Sequence, residues 1–345
     1  MIYFDTDYMA GAHPEVMKRL VETNLLHTPG YGEDAFTREA REIILRECGL
    51  TEETGRVFFA VGGTQTNAVV IDRLLYRNDG VIAADTAHIS VHEAGAIEVS
   101  GHKIIELRGS GGKIEASAID RYMEDFYGDD TNPHMVRPTL VYISFPTELG
   151  TVYSLEEIKG IHEVCGKWRM HLYIDGARMA YGLAAGDLSL ADIASLCDAF
   201  YIGGTKCGAL FGEAVVTSRP QIFERFFSLM KMHGALLAKG RLLGVQFEAL
   251  FHDGLYYRIG SEAVASASKL KEIFLEAGYK TLIDSPTNQQ FFILPNLVID
   301  RLKSEVSFDL WGAPGKDESA VRMVTDWTTS AADLKKIETL LSNLK

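Results

Sequence analysis

The sequence predicts an α/β fold, with a mostly parallel sheet between helices and a smaller α+β domain at the C-terminal end. Three observations predict it. Apolar strand-like runs alternate with helical patterns from about residue 56 to 217, the pattern of a parallel sheet covered on both faces. After residue 250 the alternation gives way to one long helix, three strand-like runs and a final helix. The residues able to do chemistry fall just after the apolar runs, where open α/β sheets bind their ligands.

The elements follow in order. Residues 1–11 read as an extended arm, and 14–23 as a helix with Pro14 in its first turn and Val16, Met17, Leu20 and Val21 on one face. Gly and Pro make 27–34 a loop, and 35–48 is an amphipathic helix. A strand at 56–61 meets Gly62-Gly63-Thr64-Gln65-Thr66-Asn67, and a helix follows over 68–76. Strands at 80–84 and 103–107 flank a helix at 91–99, and a helix at 117–126 precedes the strand at 139–145. The helix at 155–168 leads to the strand at 171–174 and then Asp175-Gly176-Ala177-Arg178. A short helix at 190–196 precedes the strand at 199–202, the turn Gly203-Gly204-Thr205-Lys206 and a strand at 210–217. One or two long helices fill 220–251, and a helix covers 260–277. Strands at 288–294, 307–311 and 320–324 precede the last helix at 330–341. We assign 1–20 to an arm and helix, 21–249 to a large domain and 250–345 to a small one.

Composition narrows the function. With 34 basic against 47 acidic residues the net charge is −13, and no basic block offers a nucleic-acid surface. No apolar run approaches a membrane span and no signal peptide is seen at Met1-Ile2-Tyr3-Phe4-Asp5. The four cysteines show no metal or redox spacing, so reduced thiols in a cytoplasmic enzyme are expected, with no metal.

A lysine after a buried strand, set between glycines, fits a Schiff-base nucleophile as well as a plain loop lysine. The Gly-Gly-Thr turn before a helix offers backbone N–H groups to an anion. Asp175 and Lys206 lie 31 residues apart at the ends of two candidate strands, and His88 follows another. Together they meet the needs of pyridoxal 5′-phosphate: a helix N-terminus for its phosphate, a lysine for its aldehyde, a carboxylate for its pyridine nitrogen and a flat partner for its ring.

These blocks, with Gly30-Tyr31-Gly32-Glu33-Asp34, Glu93-Ala94-Gly95 and Val321-Arg322-Met323-Val324-Thr325, resemble the low-specificity threonine aldolases of the β-eliminating lyase group. Those are fold-type I pyridoxal-phosphate enzymes. The resemblance spans nearly the whole chain. It implies that Lys206 carries the cofactor, Asp175 pairs with its ring nitrogen, Gly63 and Thr64 bind its phosphate, and His88 stacks on its ring. It implies that Arg178, which would also line the cofactor site, and Arg322 bind the substrate carboxylate. Thr6 stands where a serine is usual near that carboxylate. Tyr31 would sit at the mouth of a neighbouring subunit's site, and Lys239 or Arg241 would reach a neighbour's phosphate. The chain would then be a homo-oligomer, dimer or tetramer, with shared sites. His88 and Glu148 are the candidate bases; Glu148 stands where many members have histidine. The implied reaction splits a β-hydroxy-α-amino acid into glycine and an aldehyde. β-Elimination, transamination and a cofactor-binding protein without activity remain the alternatives.

Overall fold

The computed structural model describes residues 1–343. Seven strands form the central sheet in the order Arg56–Ala60, Glu213–Thr217, Ala199–Gly203, His171–Asp175, Arg137–Ser144, Asp79–Ala84 and Lys103–Leu107. Only Glu213–Thr217 runs against its neighbours; the pairs from Ala199–Gly203 outward are parallel. The strands Asp79–Ala84, Ala199–Gly203 and Glu213–Thr217 are buried along their whole length, which is why they read as unbroken apolar runs.

A four-stranded antiparallel sheet, in the order Asp309–Leu310, Glu318–Val324, Gln289–Pro295 and Lys280–Ile283, makes the second unit. Its core includes Leu270, Phe274, Phe292, Leu294, Val321 and Met323, together with Ile2 and Phe4 from the chain start. The 22-residue helix Leu255–Glu276 serves both cores. Leu255, Tyr256, Ile259 and Ala263 pack in the first, and Leu270, Ile273 and Phe274 in the second.

Four local expectations change. The arm is not merely extended: Ile2–Tyr3 pairs in parallel with Val306–Ser307. The run 307–311 therefore splits, since Asp309–Leu310 joins Glu318–Val324 instead. The helix expected over 91–99 is two single turns, His88–Val91 and Ala96–Val99. It breaks because Ala94 (φ 51°) and Gly95 (φ 82°) adopt left-handed backbone and the Glu93 side chain turns inward. Residues 220–251 hold only Phe226–Met232 and Arg241–Phe251 as α-helix, with left-handed Arg225 and Gly234 bounding the first. Among the described residues no helix is long and apolar enough to cross a membrane.

The parallel strands all point their carboxyl ends to one edge. Ala84, Ser144, Asp175 and Gly203 end there, so the loops bearing His88, Glu148, Arg178 and Lys206 converge.

Candidate active site

Two cavities meet at that edge. The first, about 190 Å³, is lined by Gly62, Gly63, Thr64, His88, Asp175, Tyr201, Lys206 and Glu213 among others. The second, about 300 Å³, is lined by Tyr8, His92, Gln289, Trp311 and Arg322. His88, Glu148, Arg178 and Lys206 belong to both walls.

Helix Gly63–Leu74 begins at the first cavity with no side-chain cap. Its first intrahelical bond runs from the Thr66 N–H to the Gly62 carbonyl at 3.0 Å, so the N–H groups before it have no helical acceptor. A Cβ on Gly63 would stand 3.0 Å from the Tyr201 hydroxyl; glycine leaves room for a ligand to approach the backbone.

Asp175 ends its strand 3% exposed. Its Oδ2 accepts from the Tyr142 hydroxyl at 2.6 Å and Asn67 Nδ2 at 2.9 Å, and its Oδ1 from the Ala177 N–H at 2.9 Å. Burial pushes its carboxyl up, but His88, Tyr142, Tyr201 and Asn67 more than offset this and hold it below the usual value. It is an anion ready for a cationic partner.

Asn67 Nδ2 also donates to Glu93 Oε1 at 2.7 Å, and His88 Nδ1 meets the same oxygen at 2.8 Å. Glu93 therefore fixes the imidazole and leaves Nε2 turned to the cavity. Burial lowers the His88 value, while Glu93 and Asp175 raise it and prevail. The His88 N–H donates to Glu148 Oε1 at 2.9 Å, as does Ser144 Oγ at 2.6 Å. Burial leaves Glu148 with a raised pKa despite those donors.

Lys206 is half-buried. Burial and the nearby Arg178 charge lower its pKa against the pull of Asp7, Asp175 and Glu213, which favours the neutral, nucleophilic amine. Its loop is pinned by Glu213, which accepts from Thr205 Oγ1 at 2.8 Å and the Gly204 N–H at 3.1 Å.

On the substrate side, Arg178 Nε and Nη2 grip Asp7 at 2.7 and 3.0 Å, and Asn288 Nδ2 donates to the same carboxylate at 3.0 Å. Among the described residues Nη1 has no hydrogen-bond partner. Arg322 Nη2 donates to Asp309 at 2.6 Å, and its guanidinium lies over the Trp311 ring at 5.3 Å.

The chain thus brings Gly63, Thr64, His88, Glu148, Asp175, Arg178 and Lys206 to one cavity, and Arg322 to the adjoining one. Thr6, Tyr31 and Lys239 line neither. Tyr31 is exposed, with φ 59°, beneath the Lys231 ammonium at 4.6 Å. The Arg241 guanidinium binds the carbonyls of Thr23, Asn24 and Leu26 in its own chain. Sequence reasoning gave no role to Asp7, Asn67, Glu93, Tyr142, Glu213 or Gln289.

The beta-eliminating lyase family matches residues 4–336. The chain belongs to that family. This family member is 28% identical to the low specificity L-threonine aldolase of Pseudomonas aeruginosa, over 99% of this chain and 96% of that one. It is similar to a Leishmania major threonine aldolase structure, with TM-score 0.95 and 35% identity over 100% of this chain and 99% of the other. A Thermus thermophilus aspartate aminotransferase mutant shares the fold at TM-score 0.71 and 17% identity, over 100% of this chain and 92% of that one. Enzymes of this family and fold use pyridoxal 5′-phosphate. The residues of this family member fit it: an open helix N-terminus, a depressed buried carboxylate and a lysine of lowered pKa line one cavity.

Proposed function

We propose that this chain cleaves L-β-hydroxy-α-amino acids, such as threonine, allo-threonine or a bulkier analogue, between Cα and Cβ to give glycine and an aldehyde. Its cofactor is pyridoxal 5′-phosphate. The observation that carries the reading is the place of Lys206, shared by a cavity suited to a phosphate-bearing ring and one lined by two arginines.

When bound, the cofactor supplies a sink for the electron pair released at Cα. The chain's residues do the rest. Lys206 would hold the cofactor, the N–H groups of Gly63 and Thr64 would bind its phosphate, Asp175 would keep its pyridine nitrogen protonated, and His88 would cover its ring. Arg178, through Nη1, and Arg322 would hold the substrate carboxylate, and that grip would orient the bonds at Cα for cleavage. His88 Nε2 takes the β-hydroxyl proton. Glu148 is the second acceptor on the same wall.

The assembly we propose is a cytoplasmic homo-oligomer, a dimer or a tetramer of two dimers, in which Thr6 completes the carboxylate site and Tyr31 and Lys239 reach a neighbour's site. Exposed Met17, Val21, Leu25 and Leu26 on and after the first helix support a covered face, and four free buried cysteines suit a reducing compartment.

The test is an absorbance spectrum of the purified protein before and after L-threonine, L-allo-threonine or phenylserine, with glycine and aldehyde assayed together. The expected result is a visible cofactor band, absent in Lys206→Ala, and release of both products by the wild type. A band without aldehyde would retain the cofactor and end the aldolase reading in favour of elimination or transamination.

A further inference from the structure

Gln289 is a polar residue of the second cavity that the proposed chemistry leaves unused, as it does Tyr8 and His92. It has 0% exposure, and neither Nε2 nor Oε1 has a hydrogen-bond partner among the described residues. The amide nitrogens of its neighbours are satisfied, although Asn288 Oδ1 and Gln290 Oε1 also lack partners. Asn288 Nδ2 donates to Asp7 and to the Thr325 carbonyl, and Gln290 Nε2 to the Ser285 and Thr287 carbonyls. A buried amide without partners is costly and rare in folded proteins.

The register shows where this amide faces. Phe291 lies opposite Arg322 on the adjacent strand, and Gln289, two residues before Phe291, shares their side of the sheet. Arg322 Nε is buried without a partner too. Asp309 occupies Arg322 Nη2 and Trp311 covers the guanidinium, which leaves the buried Nε without an acceptor. The unsatisfied donors Gln289 Nε2 and Arg322 Nε therefore belong to one cavity wall, and that cavity also holds Arg178 and Lys206. Arg178 and Arg322, though each is also paired with an aspartate, present guanidinium donors to a cavity whose lining holds one carboxylate, Glu148, and such donors favour an anion. A carboxylate, with about four lone-pair sites, accepts from both groups at once.

We propose that Gln289 is a substrate-binding residue that, beside Arg322 Nε, donates to the α-carboxylate of the amino acid. This rests on the aldolase reading only in taking the ligand to be an amino acid. The test titrates the holoenzyme with glycine and, separately, with methylamine, which lacks the carboxylate, and follows the cofactor's visible band. Wild type is compared with Gln289→Leu and with Gln289→Met, an unbranched apolar residue that covers the case where leucine packs badly.

Loss of one hydrogen bond to an ion is expected to weaken glycine roughly 10- to 100-fold and to leave methylamine unchanged. The midpoint of thermal unfolding should hold or rise, because an orphaned amide is replaced by apolar atoms. Unchanged glycine binding, parallel loss of both ligands, or a lower midpoint in both variants would overturn the role of Gln289 and leave the aldolase reading standing. A wild type whose band responds to neither probe would remove both.

Discussion

Asn67 shows how the candidate site is wired at the scale of single residues. One amide nitrogen serves two buried carboxylates, Glu93 and Asp175, and its oxygen accepts from the Tyr173 hydroxyl at 2.9 Å. A ring of contacts then closes from His88 through Glu93, Asn67, Asp175, Tyr142, Ser144 and Glu148 back to the His88 N–H. Asp175, His88 and Lys206 were legible because each has a short list of uses after a strand. Asn67 and Glu93 were not, although they lie inside recognised blocks, because their partners are distant in sequence. Glu213 was hidden in an apolar strand. Burial raises its pKa, and Thr205, Lys206 and the Gly204 N–H only partly offset this. An acid whose folded value is raised favours folding while both states are protonated and loses that contribution as pH climbs from the unfolded value of 4.5 through the folded one. Glu213→Gln, which mimics the protonated acid, should therefore match wild type at acid pH and gain in relative thermal stability as pH rises. A gap that narrows with pH would contradict this.

At the scale of elements, three neighbouring strands repeat one pattern. Val141-Tyr142-Ile143-Ser144, Leu172-Tyr173-Ile174-Asp175 and Phe200-Tyr201-Ile202-Gly203 each place a tyrosine two residues before the strand end. Alternation puts each tyrosine on the same face as its strand's last residue. The Tyr142 and Tyr173 hydroxyls satisfy Asp175 and Asn67, and Tyr201 stands over Gly63. Periodicity alone marked these residues as core, since a buried tyrosine looks apolar until its hydroxyl partner is known. The strand positions themselves were well read, because continuous apolar runs bounded by turns have few other homes. Short pieces such as Ile2–Tyr3 and Asp309–Leu310 were not, because pairing rather than local pattern creates them. The glycine of Asp175-Gly176-Ala177-Arg178 has a steric reason: a Cβ there would collide with the Tyr201 carbonyl oxygen and come within 2.6 Å of Met179 Cε. Gly176→Ala should cost ~3 kcal/mol or more and displace Asp175. A lower midpoint in urea with a weakened cofactor band would show it, and a variant with both intact would refute the packing argument.

At the scale of the whole molecule, one link between the two sheets is polar. Asp7 of the arm binds Arg178 of the large sheet and Asn288 of the small one. Burial pushes the Asp7 carboxyl up, but Arg178 and Lys206 hold it below the ordinary value. A depressed carboxylate contributes stability above its unfolded value of 3.8 and loses it as pH falls through the folded one. Asp7→Asn should cost ~3–5 kcal/mol at neutral pH, because it leaves a largely buried guanidinium without its counter-charge. It should also flatten the acid limb of stability against pH; an unchanged limb would place the acid sensitivity elsewhere. The α/β architecture was readable from alternation alone, whereas this three-way tie was not, because it joins residues 7, 178 and 288.

The pairing of Ile2–Tyr3 with Val306–Ser307 also sets a schedule. On a ribosome adding about 5–20 residues per second, the arm waits roughly 15–60 s for its partner strand to be made. The large sheet can close within that interval, so docking of the arm, and with it the full set of contacts around Arg178, falls late in the life of the nascent chain.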